Sequence, residues 1–167
     1  LSTSYQTNGL ALDRVNNRLF VGDTTNNRVV VFNLADGITD GENAINVLGQ
    51  ANFTSSSSAT TQNGLYTPMG LAYDSTRGYL FVADSDNYRV MVFDVATIVD
   101  GEAAVNVLGQ DNTYVQVNPE TTQSRLRSPM GLFYDSDGNR LFVVDGNGSN
   151  GSNNRVMVFD ITTIVDG

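Results

Sequence analysis

The chain has 167 residues, of which 40% are apolar and 16% are charged, and its formal net charge is -9 at pH 7. These proportions are typical of a globular protein. Nucleic acids and anionic membrane surfaces are bound mainly through Lys and Arg, so the acidic charge argues against both partners. The lack of cysteine and histidine excludes the usual zinc, haem and iron–sulfur ligand sets and all Cys/His or Ser/His catalytic pairs. Apolar stretches of four or five residues are far shorter than the roughly 20 residues of a membrane-inserted helix.

The sequence contains the same pattern three times. The copies begin at Gly9, Gly70 and Gly131, so the period is 61 residues. Each copy continues through a Leu-Phe-Val-x-Asp segment to an Arg-Val-x-Val-Phe segment. A period of this length indicates an array of units that bury their apolar faces only by stacking on one another.

Four strands are predicted in each copy, and the middle copy shows them most clearly. Met69–Asp74 is a short apolar run that ends in turn-forming residues, and Tyr79–Ala83 is the second strand. Arg89–Val95 is apolar on both alternating faces, which is typical of a strand between two packed sheets. The fourth strand is predicted at Ala104–Gln110, and at Ala44–Gln50 in the first copy.

Repeated four-stranded antiparallel sheets that are apolar on both faces predict an all-β propeller. We predict one propeller segment over residues 1–167, with blade 1 at about 5–50, blade 2 at about 66–110 and blade 3 at about 127–167. The fourth strand of blade 3 is missing, because this copy stops where the others continue.

The middle copy also resembles the NHL repeat, through Gly70–Asp74 and then Leu80–Phe93, with its Val-Ala-Asp-x-x-Asn-x-Arg-Val core. The Val-Leu-Gly-Gln tails and the prolines Pro68 and Pro129 are similar to long-blade bacterial and archaeal members. The resemblance implies a ring of about six blades, of which this chain supplies half. A half-ring leaves a bare strand edge and an open apolar face at each end, which favours association with another copy or with the rest of a longer propeller.

In an antiparallel blade, the second-to-third loops and the blade-to-blade connectors emerge on the same rim. The connectors 51–67 and 111–128 are long, and the second-to-third loop of the third copy is enlarged to 146–153, which makes this long-loop rim the candidate binding face. An aspartate recurs on it at equal phase in every copy, and an arginine follows each aspartate. Because they recur in every blade, we predict structural ion pairs rather than a ring of ligands. The residues are Asp23 with Arg28, Asp84 with Arg89, and Asp145 with Arg155.

No cofactor is predicted, and calcium is left open as the alternative. Asp145, Asn147 and Ser149 place oxygen atoms at alternate positions, as calcium requires, although no distal bidentate Glu follows. Asp135–Asn139 has similar spacing, but it falls where a hairpin turn is needed, and a plain turn is favoured there.

Three Asn-x-Ser/Thr triplets, at Asn52, Asn147 and Asn150, are N-glycosylation acceptors if the chain is exported through a glycosylating pathway. The surface rich in Asn, Ser, Thr and Gly favours an extracellular or cell-surface location. Arg125 and Arg127 are candidates for an anion site, with simple solvation as the favoured interpretation.

The leading functional hypothesis is a non-enzymatic extracellular scaffold that binds protein partners, including a second copy of itself, through the long-loop rim and the open blade faces. The alternative is that these blades belong to a larger calcium-dependent hydrolase or lactonase whose catalytic residues lie in other blades, since six-bladed propellers also include enzymes. A saccharide-binding propeller is the third hypothesis, and the scarcity of loop aromatics, chiefly Phe53 and Tyr114, argues against it.

Overall fold

The computed structural model describes residues 9–111, 114–115, 119–148 and 151–164, with side chains at all of these except 147, 148, 151 and 152. Regular structure in these ranges consists of eleven strands and two single-turn 3-10 helices. No helix in the described part of the chain is long and apolar enough to cross a membrane. The prediction of an all-β fold is therefore confirmed.

The first sheet is a four-stranded antiparallel meander in chain order. Its strands are β1 (Leu10–Asp13), β2 (Arg18–Asp23), β3 (Arg28–Asn33) and β4 (Asn46–Leu48). Successive residues of β1 alternate between exposed and buried, because side chains of a strand alternate between the two faces of its sheet. One face of this sheet is therefore packed and the other is open.

The second sheet repeats the same topology. Its strands are β5 (Pro68–Asp74), β6 (Tyr79–Asp84), β7 (Arg89–Asp94) and β8 (Asn106–Leu108). Along β7, the consecutive residues from Val90 to Phe93 are fully buried. Both faces of this sheet are covered, because it lies between the first and third sheets.

The third sheet has three strands among the described residues. They are β9 (Pro129–Asp135), β10 (Arg140–Gly148) and β11 (Gly151–Asp160). The sequence predicts an enlarged loop at 146–153, whereas β10 and β11 continue into this segment as a long hairpin with a register shift between Asp145 and Asn147. The prediction missed this extension because Gly, Asn and Ser are poor strand formers, and here the pairing overrides their local preference.

The fourth strands are shorter than predicted, since β4 and β8 each contain only three residues. Both end before a glycine with positive φ, 83° at Gly49 and 86° at Gly109. A Cβ at Gly49 would lie 2.5 Å from a methyl carbon of Leu65, so the chain turns there through a conformation that favours glycine. The ladder stops where this backbone turn begins.

Two apolar clusters fill the spaces between the sheets. The first joins one face of the first sheet to one face of the second, with Phe20, Val31, Leu80 and Phe93 among its members. The second lies between the second and third sheets and includes Phe81, Val92, Leu141 and Val143. The second sheet thus contributes to both cores, and the outer faces of the first and third sheets have no neighbour within the described chain.

Candidate functional site

The long-loop rim is the edge of the stacked sheets that carries the β2–β3, β6–β7 and β10–β11 turns and the connectors 49–67 and 109–128. Antiparallel strand order brings these segments to one edge. Two of the turns are 3-10 helices, Thr24–Asn26 and Ser85–Asn87, each closed by a residue in the left-handed conformation. The rim is therefore built from irregular backbone whose polar groups need partners.

Asp84 and Arg89 supply those partners in the middle sheet. The two side chains are fully buried, and Arg89 Nε donates to Asp84 Oδ2 over 2.7 Å. Asp84 also accepts hydrogen bonds from the Tyr66 amide and the Asn87 side chain. Arg89 further donates to the carbonyls of three connector residues, namely Thr61, Gly64 and Tyr114. One guanidinium thus fixes the connectors on both sides of its sheet.

Burial is the largest influence on the acidity of Asp84, and it raises the pKa of this carboxyl to about 6 against the lowering effects of Arg89, Tyr66 and Asn87. The carboxyl is ionised at neutral pH because these donors partly replace the water it has lost. The buried negative charge of Asp84 is therefore stabilised mainly by Arg89.

The same pairing occurs in the other two sheets. Asp23 accepts from Arg28 Nε at 2.8 Å, and Asp145 accepts from Arg155 Nε at 3.0 Å. Each pair lies directly across two neighbouring strands, although five residues separate the partners in the first sheet and ten in the third. The arginines also reach connector carbonyls, Arg28 that of Phe53 and Arg155 that of Thr122. Sheet register, not sequence spacing, preserves the contact.

Asp145 was also part of the predicted calcium triad. Its Oδ1 accepts the Arg127 and Ser128 amides, and its Oδ2 accepts Asn153 and Arg155. A cation would have to displace these donors. Ser149 and the side chain of Asn147 lie outside the described residues, and in the described part of the chain no group of three or more Asp or Glu is placed to hold a metal ion. Calcium binding at this loop therefore stays an untested alternative.

The other hairpin with calcium-like spacing is a plain turn. Asp135 accepts the amides of Asp137 and Gly138 and pairs with Arg140 at 2.7 Å. Its oxygens therefore close the β9–β10 turn, as the sequence predicts.

Of the predicted glycosylation acceptors, Asn52 is exposed in the first connector. Its Oδ1 accepts the Thr54 hydroxyl at 2.8 Å within the Asn-Phe-Thr triplet. Asn150 and the side chain of Asn147 lie outside the described residues. Modification at all three positions stays a prediction.

Two further features of the rim differ from expectation or were missed. Arg125, considered as a solvated or anion-binding residue, is paired with Asp111 and Glu120 of its own connector and is only 15% exposed. Gln50 and Gln110, which end the Val-Leu-Gly-Gln tails, donate to the carbonyls of Asn27 and Tyr88. Both acceptors have positive φ, so these glutamines hold the turns that precede β3 and β7. The recurring tail was a signal for this role.

The opposite rim carries a contact between sheets that the sequence did not reveal. Arg18 pairs with Asp13 at 2.6 Å, and the Tyr73 ring of the next sheet lies 5.8 Å from the Phe20 ring. Burial, followed by the nearby charge of Asp13, raises the pKa of Tyr73. The equivalent contact joins Asp74 and Arg77 to Tyr134, whose ring lies 6.0 Å from Phe81. Asp, Phe and Tyr thus form a repeated joint between neighbouring sheets.

Asp13 should make the stability of the protein depend on acid pH. Burial alone would raise its pKa, but hydrogen bonds from Asn16 and Arg18 outweigh burial and lower it to about 2. Because the folded pKa is below the unfolded value, this stabilisation is present above pH 4 and is lost as the pH falls towards 2. We expect the stability difference between wild type and Asp13→Asn to shrink by about 1 kcal/mol from pH 5 to pH 3.

Urea unfolding of both proteins at the two pH values measures this difference. If the difference in unfolding free energy between wild type and Asp13→Asn were the same at pH 3 and pH 5, Asp13 would have an ordinary pKa in the folded protein.

Three apolar side chains are exposed on the connectors of the long-loop rim, next to backbone groups that the ion pairs bind. Phe53 and Tyr66 are each 41% exposed, and Val115 is 65% exposed. The carbonyl of Phe53 is held by Arg28, the amide of Tyr66 by Asp84, and the carbonyl of Tyr114, next to Val115, by Arg89. The Asp23–Arg28 and Asp84–Arg89 pairs therefore hold the backbone next to these side chains.

The stacked antiparallel sheets define a β-propeller segment. In the crystal structure of a nidogen/laminin complex, one chain matches this one with a TM-score of 0.56 and 22% identity, over 91% of this chain and 43% of that chain. At that identity the likeness concerns the fold alone. No protein-family model matches the chain.

Three curated relatives are named for the NHL repeat. The NHL repeat-containing protein 2 of Gallus gallus is 30% identical over an alignment of 164 positions, which covers 92% of this chain and 20% of that protein. The proteins of the same name from Bos taurus and Homo sapiens are 28% identical over 150 residues. The chain spans about a fifth of the length of the curated relatives it matches. These relatives support placing it in the NHL-repeat family.

Proposed function

We propose that this chain is a non-enzymatic interaction module that binds a protein partner outside the cell through its long-loop rim. The similar propeller was solved as part of a complex between nidogen and laminin, and the sequence relatives are named for the NHL repeat. Both findings support a role in protein binding.

The observation that carries the proposal is a set of exposed apolar side chains on connectors that hydrogen bonds hold to the sheets, namely Phe53, Tyr66 and Val115. Aromatic side chains are enriched in the cores of protein interfaces because they supply a large contact area. Fixing the loops in advance lowers the entropy that binding must overcome. Arg28, Arg89 and their carboxylates fix the loops in this way.

The extracellular part of the proposal rests on composition and on the exposed acceptor triplet at Asn52. Such surfaces, rich in Asn, Ser and Thr, suit an exported protein. No observation on the described residues favours the alternative of a calcium-dependent hydrolase. Of the two loop aromatics considered for saccharide binding, Tyr114 packs against the first core and Phe53 is exposed.

A photo-crosslinking experiment tests this proposal. A photoreactive amino acid is placed at position 53 and, as a control, at position 99, where Val99 is 67% exposed on the opposite rim. The labelled chains are incubated with the extracellular fraction of the native host, and the crosslinked protein is identified and purified. We expect position 53 to capture a protein that position 99 does not.

Affinity for that purified protein gives the quantitative test. We expect Phe53→Asp and Tyr66→Asp each to weaken binding at least about tenfold, as for buried interface anchors. Val99→Asp should leave the affinity within about twofold. Equal crosslinking from both rims, or rim variants that bind like wild type, would contradict the assignment of the binding face.

A further inference from the structure

The last strand of the first sheet, β4, has one residue whose backbone groups point away from the sheet. Within its sheet β4 pairs with β3 on one side, and Val47 lies opposite Val30. Backbone hydrogen bonds alternate in direction along an antiparallel strand. The middle residue of Asn46–Leu48 therefore directs its amide and carbonyl outwards. An edge of this kind is a template on which another extended chain can pair.

A turn of the second sheet, Asp100–Gly101 in the loop between β7 and β8, occupies this edge. The Val47 amide donates to Asp100 Oδ1 over 3.0 Å, and the Gly101 amide donates to the Val47 carbonyl over 3.1 Å. An added strand would supply the same acceptor and donor. We propose that this turn blocks the edge of β4 against pairing with the same segment of a second copy of the chain. Its role does not depend on the partner that the long-loop rim binds.

The residues around β4 have the composition of a segment that aggregates when its edge is open. Residues 43–50 contain no charged residue and no proline, and the uncharged stretch continues to residue 73. Uncharged segments of high β propensity pair readily with copies of themselves. Charged residues beside such a strand usually keep it soluble. At the edge of β4 the charge comes from Asp100, which is 53 positions away from Val47 in the chain.

The turn that blocks the edge is shaped by its own residues. The Glu102 amide donates to the Val99 carbonyl over 3.1 Å, and Gly101 between them has a φ of 72°. A β-turn with positive φ at its third residue favours glycine. The corresponding turn of the first sheet has a φ of 77° at Gly41. Because the turn is formed by local bonds, little further entropy is lost when it packs on β4.

Other contacts hold the loop in place. The Ala104 amide donates to the Gln62 carbonyl over 2.9 Å, and the Gln62 side chain donates to the Ala104 carbonyl over 2.7 Å. The Asn46 side chain of β4 reaches Asp100 Oδ1 at 3.2 Å. A Cβ at Gly101 would lie 3.0 Å from the Cα of Ala51. The loop is therefore fixed to both β4 and the first connector.

The carboxylate of Asp100 blocks the edge better than a neutral group would. A hydrogen bond to a charged acceptor is roughly twice as strong as a neutral one. Asp100 is also exposed to solvent, so its charge stays hydrated while it binds the Val47 amide. A second strand would have to displace this carboxylate or bury its charge, and both are unfavourable.

Hydrogen exchange of the Val47 amide, followed by NMR on the 167-residue chain, tests whether the turn covers the edge. We expect Asp100→Ala to speed this exchange at least about tenfold, because a hydrogen bond to a charged group is lost. The Ile45 amide, which donates to the Val31 carbonyl inside the sheet, should exchange as in wild type and so report an intact sheet. Asp100→Asn keeps the Oδ1 acceptor and should restore most of the protection. Equal exchange at Val47 in wild type and Asp100→Ala overturns the proposal.

The rate of aggregation tests what the edge does when it is uncovered. We expect Asp100→Ala to form aggregates that bind thioflavin T after a shorter lag than wild type. Asp94→Ala is the matched control, because it removes another exposed aspartate of the second sheet and changes the net charge equally. The control should aggregate like wild type. If both variants aggregate at the same rate, loss of charge is the cause and the proposal is overturned.

Asn46→Lys, added to Asp100→Ala, separates pairing through β4 from a general loss of solubility. A lysine on an edge strand opposes pairing, although it lowers the net negative charge of this acidic chain, which by itself promotes association. We expect the double variant to aggregate as slowly as wild type while its Val47 amide still exchanges fast. A double variant that aggregates like Asp100→Ala would show that the aggregates do not form through β4, and would overturn the proposal.

Discussion

Arg89→Ala is expected to lower the free energy of unfolding by about 3–5 kcal/mol, the usual cost of removing one partner of a buried ion pair. The change leaves Asp84 buried without its cation and takes the donor away from the carbonyls of Thr61, Gly64 and Tyr114. Since domains are stable by only about 5–15 kcal/mol, much of the protein's stability would be lost. The shift in urea midpoint at unchanged slope measures this effect.

Arg28→Ala is the matched control, because Arg28 makes the same contact in the first sheet with side chains that are 18% and 27% exposed. We expect it to cost about 1 kcal/mol. A double variant, Asp84→Asn with Arg89→Met, removes both buried charges and should be less destabilised than Arg89→Ala. If Arg28→Ala and Arg89→Ala were equally destabilising, burial would not be the cause.

The architecture was predictable because its signals are local. Alternating apolar residues and turn formers mark the strands, and the period of 61 residues shows that the units stack. The Asp and Arg positions of the long-loop rim are also visible in sequence, since an aspartate recurs in phase in every copy and an arginine follows it. In the structure Asp84 and Arg89 face each other across a strand pair. Which residues face each other across two paired strands follows from the register of that pair alone.

What could not be predicted depends on contacts between repeats. Arg28 and Arg89 occupy the same position in their repeats. Of the two, only Arg89 is fully buried, because its sheet has a neighbour on each side. The Asp13 and Tyr73 contact joins residues 60 positions apart, and their pattern gives no sign of it until the sheets are stacked. Arg125 likewise finds its carboxylates through the folding of a connector without regular structure.

Gly70→Ala is expected to destabilise the protein by about 3 kcal/mol, at the upper end of the range for overpacking. The new methyl group would lie 2.4 Å from the carbonyl oxygen of Met130 and 2.8 Å from the amide nitrogen of Leu132. Both atoms belong to the backbone of β9 in the next sheet, so no side-chain rotation relieves the collision. Relief requires the second and third sheets to separate at their inner edge, which opens the core that contains Phe81 and Leu141.

Gly131→Ala is the control for this prediction because Gly131 has the same place in the third repeat. Its added methyl group meets only the Val144 side chain, at 3.4 Å. Both substitutions restrict the unfolded chain in the same way, which by itself stabilises by about 0.4–1 kcal/mol. The difference between their urea midpoints, measured on dilute monomeric protein, therefore isolates the contact between blades. If the two variants unfolded at the same urea concentration, the space between Gly70 and Met130 would accommodate a methyl group, and the prediction would be wrong.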